Sequence, residues 1–243
     1  PSDHLIKNNE VFADTFKEAV QIAEEGANLV TVGITPNYPE TGYGYIKYNQ
    51  ADKKNNAYSV EKFVEKPDLE TAKSYLADGT YLWNSGMFVW KVSTILDCFK
   101  KFMPYEGLLK IKAAVGTADE NAVLEAEFPN LESQSVDYGI MEKADSIYTL
   151  PGNFGWDDVG SWLAVGRIKK NDDNSNVING NVVAVNTKGC VIEGGEKLIA
   201  TVGLRDIVVV DTKDATLITT KENAGEIKQV LAKLREEGKN EYL

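Results

Sequence analysis

The sequence has 243 residues, of which 43% are hydrophobic, and its formal net charge is −11 at pH 7. This composition is too apolar for a disordered chain and is sufficient for one large domain, or for a domain with a smaller companion. The negative charge repels nucleic-acid phosphates, and no apolar stretch approaches the ~20 residues that cross a bilayer. We therefore expect neither a nucleic acid nor a membrane as a partner.

Two cysteines and a single histidine lie far apart in the sequence, at Cys98, Cys190 and His4. None of them has the short spacing typical of zinc ligands, so we expect no zinc site and two reduced, at least half-buried cysteines. No signal peptide opens the chain, which favours the cytoplasm. The first residue is Pro1 rather than Met, and we expect the natural protein to begin upstream of it.

The chain up to about residue 168 alternates helical and strand patterns. Apolar residues at helical spacing predict a helix over 11–25, and the continuous apolar run at 29–34 predicts a strand covered on both faces. Asp68 and Gly79 predict the start and the end of a second helix, which is followed by a strand over 81–91. This alternation is typical of an α/β fold. Further helical patterns cover residues 92–103, 107–115, 136–143 and 162–168.

The pattern changes beyond residue 168. The polar run at 169–176 predicts a linker or a surface loop. Short β-rich segments punctuated by turn residues follow at intervals of about ten residues, and an amphipathic helix ends the chain. This spacing predicts a few coils of a β-helix or an irregular sheet. We therefore predict two domains, residues 1–168 and residues 169–243.

Carboxylates near the two ends of the first domain are candidate metal ligands. Asp157 and Asp158 lie between two tryptophans in a glycine-flanked turn before a helix. They are either helix caps, where Asp is favoured, or oxygen ligands of the kind that Mg²⁺ prefers. Asp3 follows what looks like the end of a strand, where ligands of open α/β sheets collect. Its carboxylate is a second candidate for the same metal.

Glu65 and Lys66 precede a proline at the end of a predicted strand. They are either an ordinary solvated pair or a cation aimed at a phosphate beside a carboxylate that binds sugar hydroxyls. Two glycines alternate with tyrosine at Gly42, Tyr43 and Gly44. This alternation indicates either a kinked strand or a place where a ligand approaches the backbone closely.

Asn84 and Ser85 are polar residues inside an otherwise apolar strand pattern. Buried polar side chains need hydrogen-bond partners. A bound sugar is one source of such partners.

Six segments, in this order, resemble the sugar nucleotidyltransferases, most closely the bacterial mannose-1-phosphate guanylyltransferases. The resemblance spans nearly the whole chain, and it implies a mixed, mainly parallel Rossmann-like sheet with helices on both faces. A small, left-handed β-helix-like C-terminal unit and a closing helix are expected to follow. The six segments are Pro-Ser-Asp-His (1–4), Thr-Gly-Tyr-Gly-Tyr-Ile (41–46), Phe-Val-Glu-Lys-Pro (63–67), Trp-Asn-Ser-Gly-Met-Phe (83–88), Ser-Val-Asp-Tyr-Gly-Ile-Met-Glu-Lys (135–143) and Trp-Asp-Asp-Val-Gly-Ser-Trp (156–162).

The resemblance also implies a reaction, in which GTP and mannose 1-phosphate give GDP-mannose and pyrophosphate with Mg²⁺ as cofactor. Asp3 and Asp158 match the two carboxylates that hold the metal, and Lys66 matches the residue that faces the sugar phosphate. These three are the expected catalytic residues. The expected substrate-binding residues are Gly42, Tyr43, Gly44, Glu65, Asn84, Ser85 and Asp137.

One part of the family pattern is absent from this sequence, namely the glycine-rich signature with Arg and Lys that cradles the triphosphate. We expect the sequence to begin after it, which leaves the base preference and the activity of this chain open. The alternatives are a related sugar-1-phosphate nucleotidyltransferase, a nucleotide-sugar glycosyltransferase, or an inactive sugar-phosphate-binding fragment. A homo-oligomer, most simply a dimer, is the expected assembly.

Overall fold

A computed structural model describes residues 2–243, so the first residue of the 1–4 segment lies outside the described residues. The chain forms two compact units. One contains Ile6–Trp156, and the other combines Ser2–Leu5 with Asp157–Leu243. Among the described residues, no helix has the length and apolarity that a membrane span requires.

The helices and strands follow the sequence patterns closely in most of the chain. The α-helices are α1 (Asn9–Glu24), α2 (Leu69–Asp78), α3 (Val92–Phe102), α4 (Glu106–Ala114), α5 (Glu120–Glu127), α6 (Trp162–Ile168) and α7 (Ile227–Glu236). The strands are β1 (His4–Leu5), β2 (Leu29–Ile34), β3 (Tyr45–Lys54), β4 (Ala57–Val64), β5 (Tyr81–Val89), β6 (Ile147–Gly152), β7 (Asp157–Asp158), β8 (Val177–Asn179), β9 (Val182–Val185), β10 (Val191–Glu193), β11 (Ile199–Val202), β12 (Ile207–Asp211) and β13 (Thr216–Thr220).

In the first unit, β2, β5, β3, β4 and β6 pair in that order and close into a barrel. Every residue of β2 is buried, as its continuous apolar run predicts. Helix α1 lies on one side of this strand, where Val30 joins Ile22 and Leu150 in a core cluster. Leu29 points to the other side, into a cluster with Ile95 of α3. Helices therefore cover both faces, because successive strand residues point in opposite directions.

The expectation of mainly parallel pairing is wrong for the described strands of this barrel. Only β2 and β6 pair in parallel, whereas the four other strand pairs are antiparallel. A continuous apolar run shows that both faces of a strand are covered, but it contains no information about the direction of the neighbouring strands. Strands β3 and β4 are joined by a two-residue turn, and such a connection allows antiparallel pairing alone.

In the second unit, short strands stack in parallel as the ten-residue spacing suggests. Strands β8, β10 and β12 form one parallel ladder, to which β13 adds in antiparallel direction, and β9 and β11 form another. Helix α6 packs on the first ladder, where Trp162 and Val165 contact a cluster that includes Val191 and Val208. Strands β1 and β7 form a separate antiparallel pair in the same unit.

Local capping signals are confirmed for α2 but not for α6. The side chain of Asp68 accepts a hydrogen bond from the Thr71 amide, and Gly79 adopts a left-handed conformation at the end of the helix. The cap of α6 is Ser161, whose side chain accepts from the Ala164 amide. Asp157 and Asp158 form β7 instead, so the reading of this acidic pair as a helix cap is wrong.

Candidate functional site

The predicted site residues fall into two groups, one in each compact unit. Asp3 and Asp158 belong to the unit that contains the β-helix-like ladders, and all other predicted site residues belong to the barrel unit.

Asp3 and Asp158 are brought together by the small β1–β7 sheet. His4 of β1 pairs with Asp158 of β7, and the carbonyl of Asp3 accepts a hydrogen bond of 3.2 Å from the Val159 amide. The imidazole of His4 lies within electrostatic reach of both carboxylates. Its pKa is lowered, with burial as the largest cause, while the Asp158 and Asp3 carboxylates act in the opposite direction. The backbones of two aspartates from opposite ends of the first predicted domain therefore lie side by side, because two short segments form a strand pair.

The neighbouring Asp157 has a different environment from Asp158. Arg167 of α6 binds the carboxylate of Asp157 at both oxygens, with distances of 3.0 Å from Nε and 2.9 Å from Nη2. A bidentate pair of this kind fixes both side chains. The Oδ1 atom of Asp158 accepts a hydrogen bond of 2.9 Å from the Gly160 amide. Within residues 2–243, Arg167 forms its ion pair with Asp157 and no Lys or Arg forms one with Asp158, which stays a candidate metal ligand.

The chemistry of these donors fits Mg²⁺. This ion needs one or two carboxylates, with water and substrate phosphate oxygens completing its shell. Asp3 is exposed and Asp158 is half-buried, so both can reach an ion in solvent. In the described part of the chain, no cluster of three or more His, Cys, Asp or Glu side chains could hold a metal by itself.

In the barrel unit, Asn84 joins two carboxylates. Its Nδ2 atom donates to Asp137 Oδ1 at 2.7 Å and makes a longer contact of 3.4 Å with Glu65 Oε1. Its Oδ1 atom accepts from the Gly86 amide at 3.1 Å, which fixes the orientation of the side-chain amide. The carboxylates share this one donor and have further lone pairs to offer. Such a group, which we call the acidic cradle (Glu65, Asn84 and Asp137), is suited to accept hydrogen bonds from sugar hydroxyls.

Gly44 lies against the acidic cradle. Its carbonyl accepts a hydrogen bond of 2.8 Å from the backbone amide of Asn84. A Cβ atom at Gly44 would lie 2.1 Å from Glu65 Oε1, which is far inside van der Waals contact. Only glycine therefore allows the backbone and the Glu65 carboxylate to occupy this place together.

Asp137 reaches the cradle from a π-helix over Asp137–Met141. The Glu142 amide donates to the Asp137 carbonyl at 3.0 Å, which closes the wide turn. Sequence periodicity predicted a helix over 136–143 but not its type, because a π turn has no distinct sequence pattern at this length. Such turns occur frequently at functional sites.

The pKa of the Glu65 carboxyl is raised above its ordinary value of 4.5. Burial is the largest cause and the Asp137 carboxylate the next, while Asn84 and Lys66 oppose them. The folded protein therefore holds the Glu65 proton more tightly than the unfolded chain does. The neutral carboxyl stabilises the fold below about pH 4.5, and this contribution is lost as the pH rises through the raised pKa.

We accordingly expect Glu65→Gln to raise the free energy of unfolding near pH 7, because the variant removes a half-buried charge next to Asp137. The gain should shrink near the ordinary pKa of 4.5, where more than half of wild-type Glu65 is itself protonated because its pKa is raised. Urea denaturation of both proteins at the two pH values measures the difference. A gain of the same size at both would contradict this assignment.

Lys66 has an unusual backbone conformation. Its φ is +46°, in the left-handed region that L-residues other than Asn and Asp seldom adopt, and a proline follows it. The residue before proline is further restricted toward extended conformations. Strain of this kind persists where the surrounding structure holds it, and it is concentrated at functional sites.

We expect Lys66→Gly to be more stable than Lys66→Ala by about 1 kcal/mol, because only glycine relieves the left-handed strain. Both variants remove the ammonium group, so they should change the binding of a phosphate-containing ligand to the same extent. Thermal unfolding and titration calorimetry on the two variants separate these effects. Equal stability of the pair would show that the backbone at this position is not strained.

The remaining predicted residues have partners within the protein. Ser85 is buried on the face of β5 opposite to Asn84, and its hydroxyl donates to the Val32 carbonyl at 2.6 Å. The structure thus supplies from the backbone the partner that a sugar was expected to supply. Tyr43 packs edge-on between Trp83 and Trp156, with ring centroids 5.5 Å from each.

Sequence reasoning did not single out Arg167, the partner of Asp157, because nothing local links positions ten residues apart.

Comparison with known proteins agrees with this architecture. Residues 1–175 match the nucleotidyl transferase family, and residues 180–234 match the MannoseP isomerase/GMP-like β-helix domain. These matches define the class of protein, a nucleotidyl transferase domain followed by a β-helix domain. They confirm the predicted α/β class with a C-terminal β-helix-like unit. The chain belongs to the nucleotidyl transferase family.

Several curated proteins are similar over almost the whole chain. A mannose-1-phosphate guanylyltransferase of Klebsiella pneumoniae is 40% identical over 247 residues, which cover 99% of this chain and 52% of that protein. The xanthan biosynthesis protein XanB of Xanthomonas campestris is 40% identical over 249 residues, covering 99% of this chain and 51% of that protein. The chain therefore spans about half the length of the curated relatives that it matches.

Two solved structures are also similar. A crystal structure described as a mannose-1-phosphate geranyltransferase from Thermus thermophilus has a TM-score of 0.81 and 34% identity, and the match covers 97% of this chain and 68% of that one. A mannose-6-phosphate isomerase from Helicobacter pylori has a TM-score of 0.56 and 31% identity, with 65% of this chain and 62% of that chain covered.

Proposed function

We propose that the protein takes part in nucleotidyl transfer from GTP to mannose 1-phosphate, which forms GDP-mannose and releases pyrophosphate. The observation that supports this most is the acidic cradle, which lies next to the strained Lys66 within a nucleotidyl transferase domain. The cradle offers acceptors to sugar hydroxyls, and the ammonium group offers a cation to a phosphate. A sugar phosphate has both of the matching groups.

The proposed reaction is an in-line attack by an oxygen of the sugar phosphate on the α-phosphorus of the nucleotide. The new bond forms between that oxygen and phosphorus, and the bond to the pyrophosphate leaving group breaks. Both reactants are anions, so their mutual repulsion is the main obstacle. Lys66 offsets charge on the attacking phosphate, while Glu65, Asn84 and Asp137 orient the sugar. Positioning of this kind contributes at best about 7–11 kcal/mol.

Asp3 and Asp158 are the proposed ligands of Mg²⁺. When bound, this ion supplies charge neutralisation and a fixed orientation for phosphate oxygens. Arg167 keeps the adjacent Asp157 in an ion pair, which leaves Asp158 for this role. A cytoplasmic location and a homodimer stay predictions from the sequence.

The test is an assay of GDP-mannose and pyrophosphate formation from GTP and mannose 1-phosphate, together with titration calorimetry for mannose 1-phosphate alone. We expect sugar-phosphate binding that weakens in Glu65→Ala and Lys66→Ala. A matched control is Glu24→Ala, which changes an exposed glutamate of α1. Lys66→Ala should affect mannose 1-phosphate binding more than GTP binding, and the reverse order would contradict the role of Lys66.

A second candidate function is sugar-phosphate binding alone; the chain spans 52% of the Klebsiella relative. In this case the chain by itself binds the sugar phosphate without turnover. Binding in calorimetry with no GDP-mannose formed is the expected result for such a fragment. The family match to a nucleotidyl transferase favours neither outcome over the other, but it does not support a nucleotide-sugar glycosyltransferase.

A further inference from the structure

The segment before β3 is held by one side chain that the sequence did not single out, Glu40. Its Oε1 atom accepts hydrogen bonds from two successive backbone amides, Thr41 at 2.9 Å and Gly42 at 2.8 Å. A carboxylate oxygen that accepts two amide protons makes charge-assisted bonds, which are stronger than neutral ones. The side chain of Glu40 thereby fixes the start of the glycine-tyrosine segment 42–44.

The backbone of Glu40 is fixed as well. Its carbonyl accepts a hydrogen bond of 2.9 Å from the hydroxyl of Tyr45, a fully buried residue of β3. Burial raises the pKa of Tyr45, so the hydroxyl retains the proton that it donates. Glu40 is thus attached to the barrel through its carbonyl and to the exposed residues Thr41 and Gly42 through its carboxylate.

The segment that Glu40 holds leads directly to the acidic cradle. Gly44, two residues beyond Gly42, lies against the Glu65 side chain. Its carbonyl accepts a hydrogen bond from the backbone amide of Asn84. Thr41 and Gly42 are exposed, so water could satisfy their amides without help from the protein. The carboxylate of Glu40 is therefore not needed to satisfy buried groups. Its two hydrogen bonds restrict the backbone conformation at the start of the segment.

We propose that Glu40 is a positioning residue, which acts through the Thr41 and Gly42 amides to hold the 42–44 segment in the conformation that receives the sugar phosphate. This inference rests on the proposed function for its ligand. Glu40 itself does not contact the sugar in this arrangement. By ordering the segment in advance, Glu40 reduces the conformational entropy that the segment loses when the ligand binds.

The first test uses Glu40→Ala, Glu40→Gln and the control Glu24→Ala, with mannose 1-phosphate as the probe in titration calorimetry. We expect Glu40→Ala to weaken binding about tenfold, because the segment then has to be ordered when the ligand binds. Glu40→Gln should recover most of the affinity, because the Gln side-chain oxygen can accept both amides. Equal loss in both variants would overturn the proposal, because Glu40→Gln keeps an oxygen that can accept from both amides and removes only the negative charge.

The second test needs no ligand. Amide-proton exchange rates of Thr41 and Gly42, measured by NMR on the ¹⁵N-labelled chain, should rise in Glu40→Ala and stay near wild type in Glu40→Gln. The thermal unfolding midpoint should be the same in wild type, Glu40→Ala, Glu40→Gln and Glu24→Ala. If Glu40 acted through global stability instead, its variants would have lower midpoints. Unchanged exchange rates in Glu40→Ala would overturn the proposal. If wild type fails to bind mannose 1-phosphate, the proposed function fails for this chain, and these exchange rates alone decide whether Glu40 orders the segment.

Discussion

Replacing Asp158 by Asn is expected to lower Mg²⁺-dependent GDP-mannose formation by about a thousandfold or more. The substitution removes one of the two proposed metal ligands, and a loss of about 4 kcal/mol of transition-state stabilisation corresponds to this factor. The side-chain oxygen of Asn can still accept the Gly160 amide, so the local turn and the folded state should persist. The rate of GDP-mannose formation and an Mg²⁺ titration are the two measurements.

Asp157→Asn is the matched control for that experiment. It makes the same Asp-to-Asn change at the adjacent residue of the same strand. The partner of Asp157 is Arg167 rather than a proposed metal ion. We expect this variant to lose stability, because it breaks a partly buried bidentate pair, and to retain Mg²⁺ binding. If Asp157→Asn abolished metal binding and Asp158→Asn did not, the assignment of the two carboxylates would have to be exchanged.

Gly44→Ala is expected to weaken mannose 1-phosphate binding about a hundredfold. The new methyl group would lie 2.1 Å from Glu65 Oε1, so the carboxylate must leave its place beside Asn84. The loss of its hydrogen bonds to sugar hydroxyls, at about 1.5–3 kcal/mol for a charged group, accounts for this factor. The unfolding midpoint should change little, because Glu65 can turn toward solvent. Titration calorimetry and thermal unfolding measure the two quantities.

A second substitution tests the cause of that loss. Glu65→Asp shortens the side chain by one methylene and should make room for the methyl group of Gly44→Ala. The double variant is therefore expected to bind mannose 1-phosphate more tightly than Gly44→Ala alone, although Glu65→Asp alone weakens binding. Gly26→Ala is the control, since a Cβ there would meet Asn28 at an ordinary 3.5 Å. Additive losses in the double variant would mean that the clash with Glu65 is not the cause.

Much of the candidate site could be named from the sequence, but its partners could not. Glu65, Asn84 and Asp137 were each expected to bind substrate, and the structure places them in one hydrogen-bonded group. Their contact depends on strand register and on a π turn, and neither can be read from local composition. The supporting residues Arg167 and Glu40 were not found for a related reason, because surface charges of their kind are common and only their partners distinguish them.

The sequence by itself determined the local elements. The buried strand at Leu29–Ile34, the bounds of α2 and the stacked strands after residue 176 follow from side-chain periodicity and capping residues, which act over a few positions. Helix α5 and strand β6 have weaker patterns and were not predicted.

Only the tertiary structure decided which strands pair in parallel and which of two adjacent aspartates binds Arg167. It also decided which of Asn84 and Ser85 belongs to the acidic cradle. Each of these depends on contacts that local sequence does not specify. The free energy of such contacts is set by the geometry of elements that meet only when the chain folds.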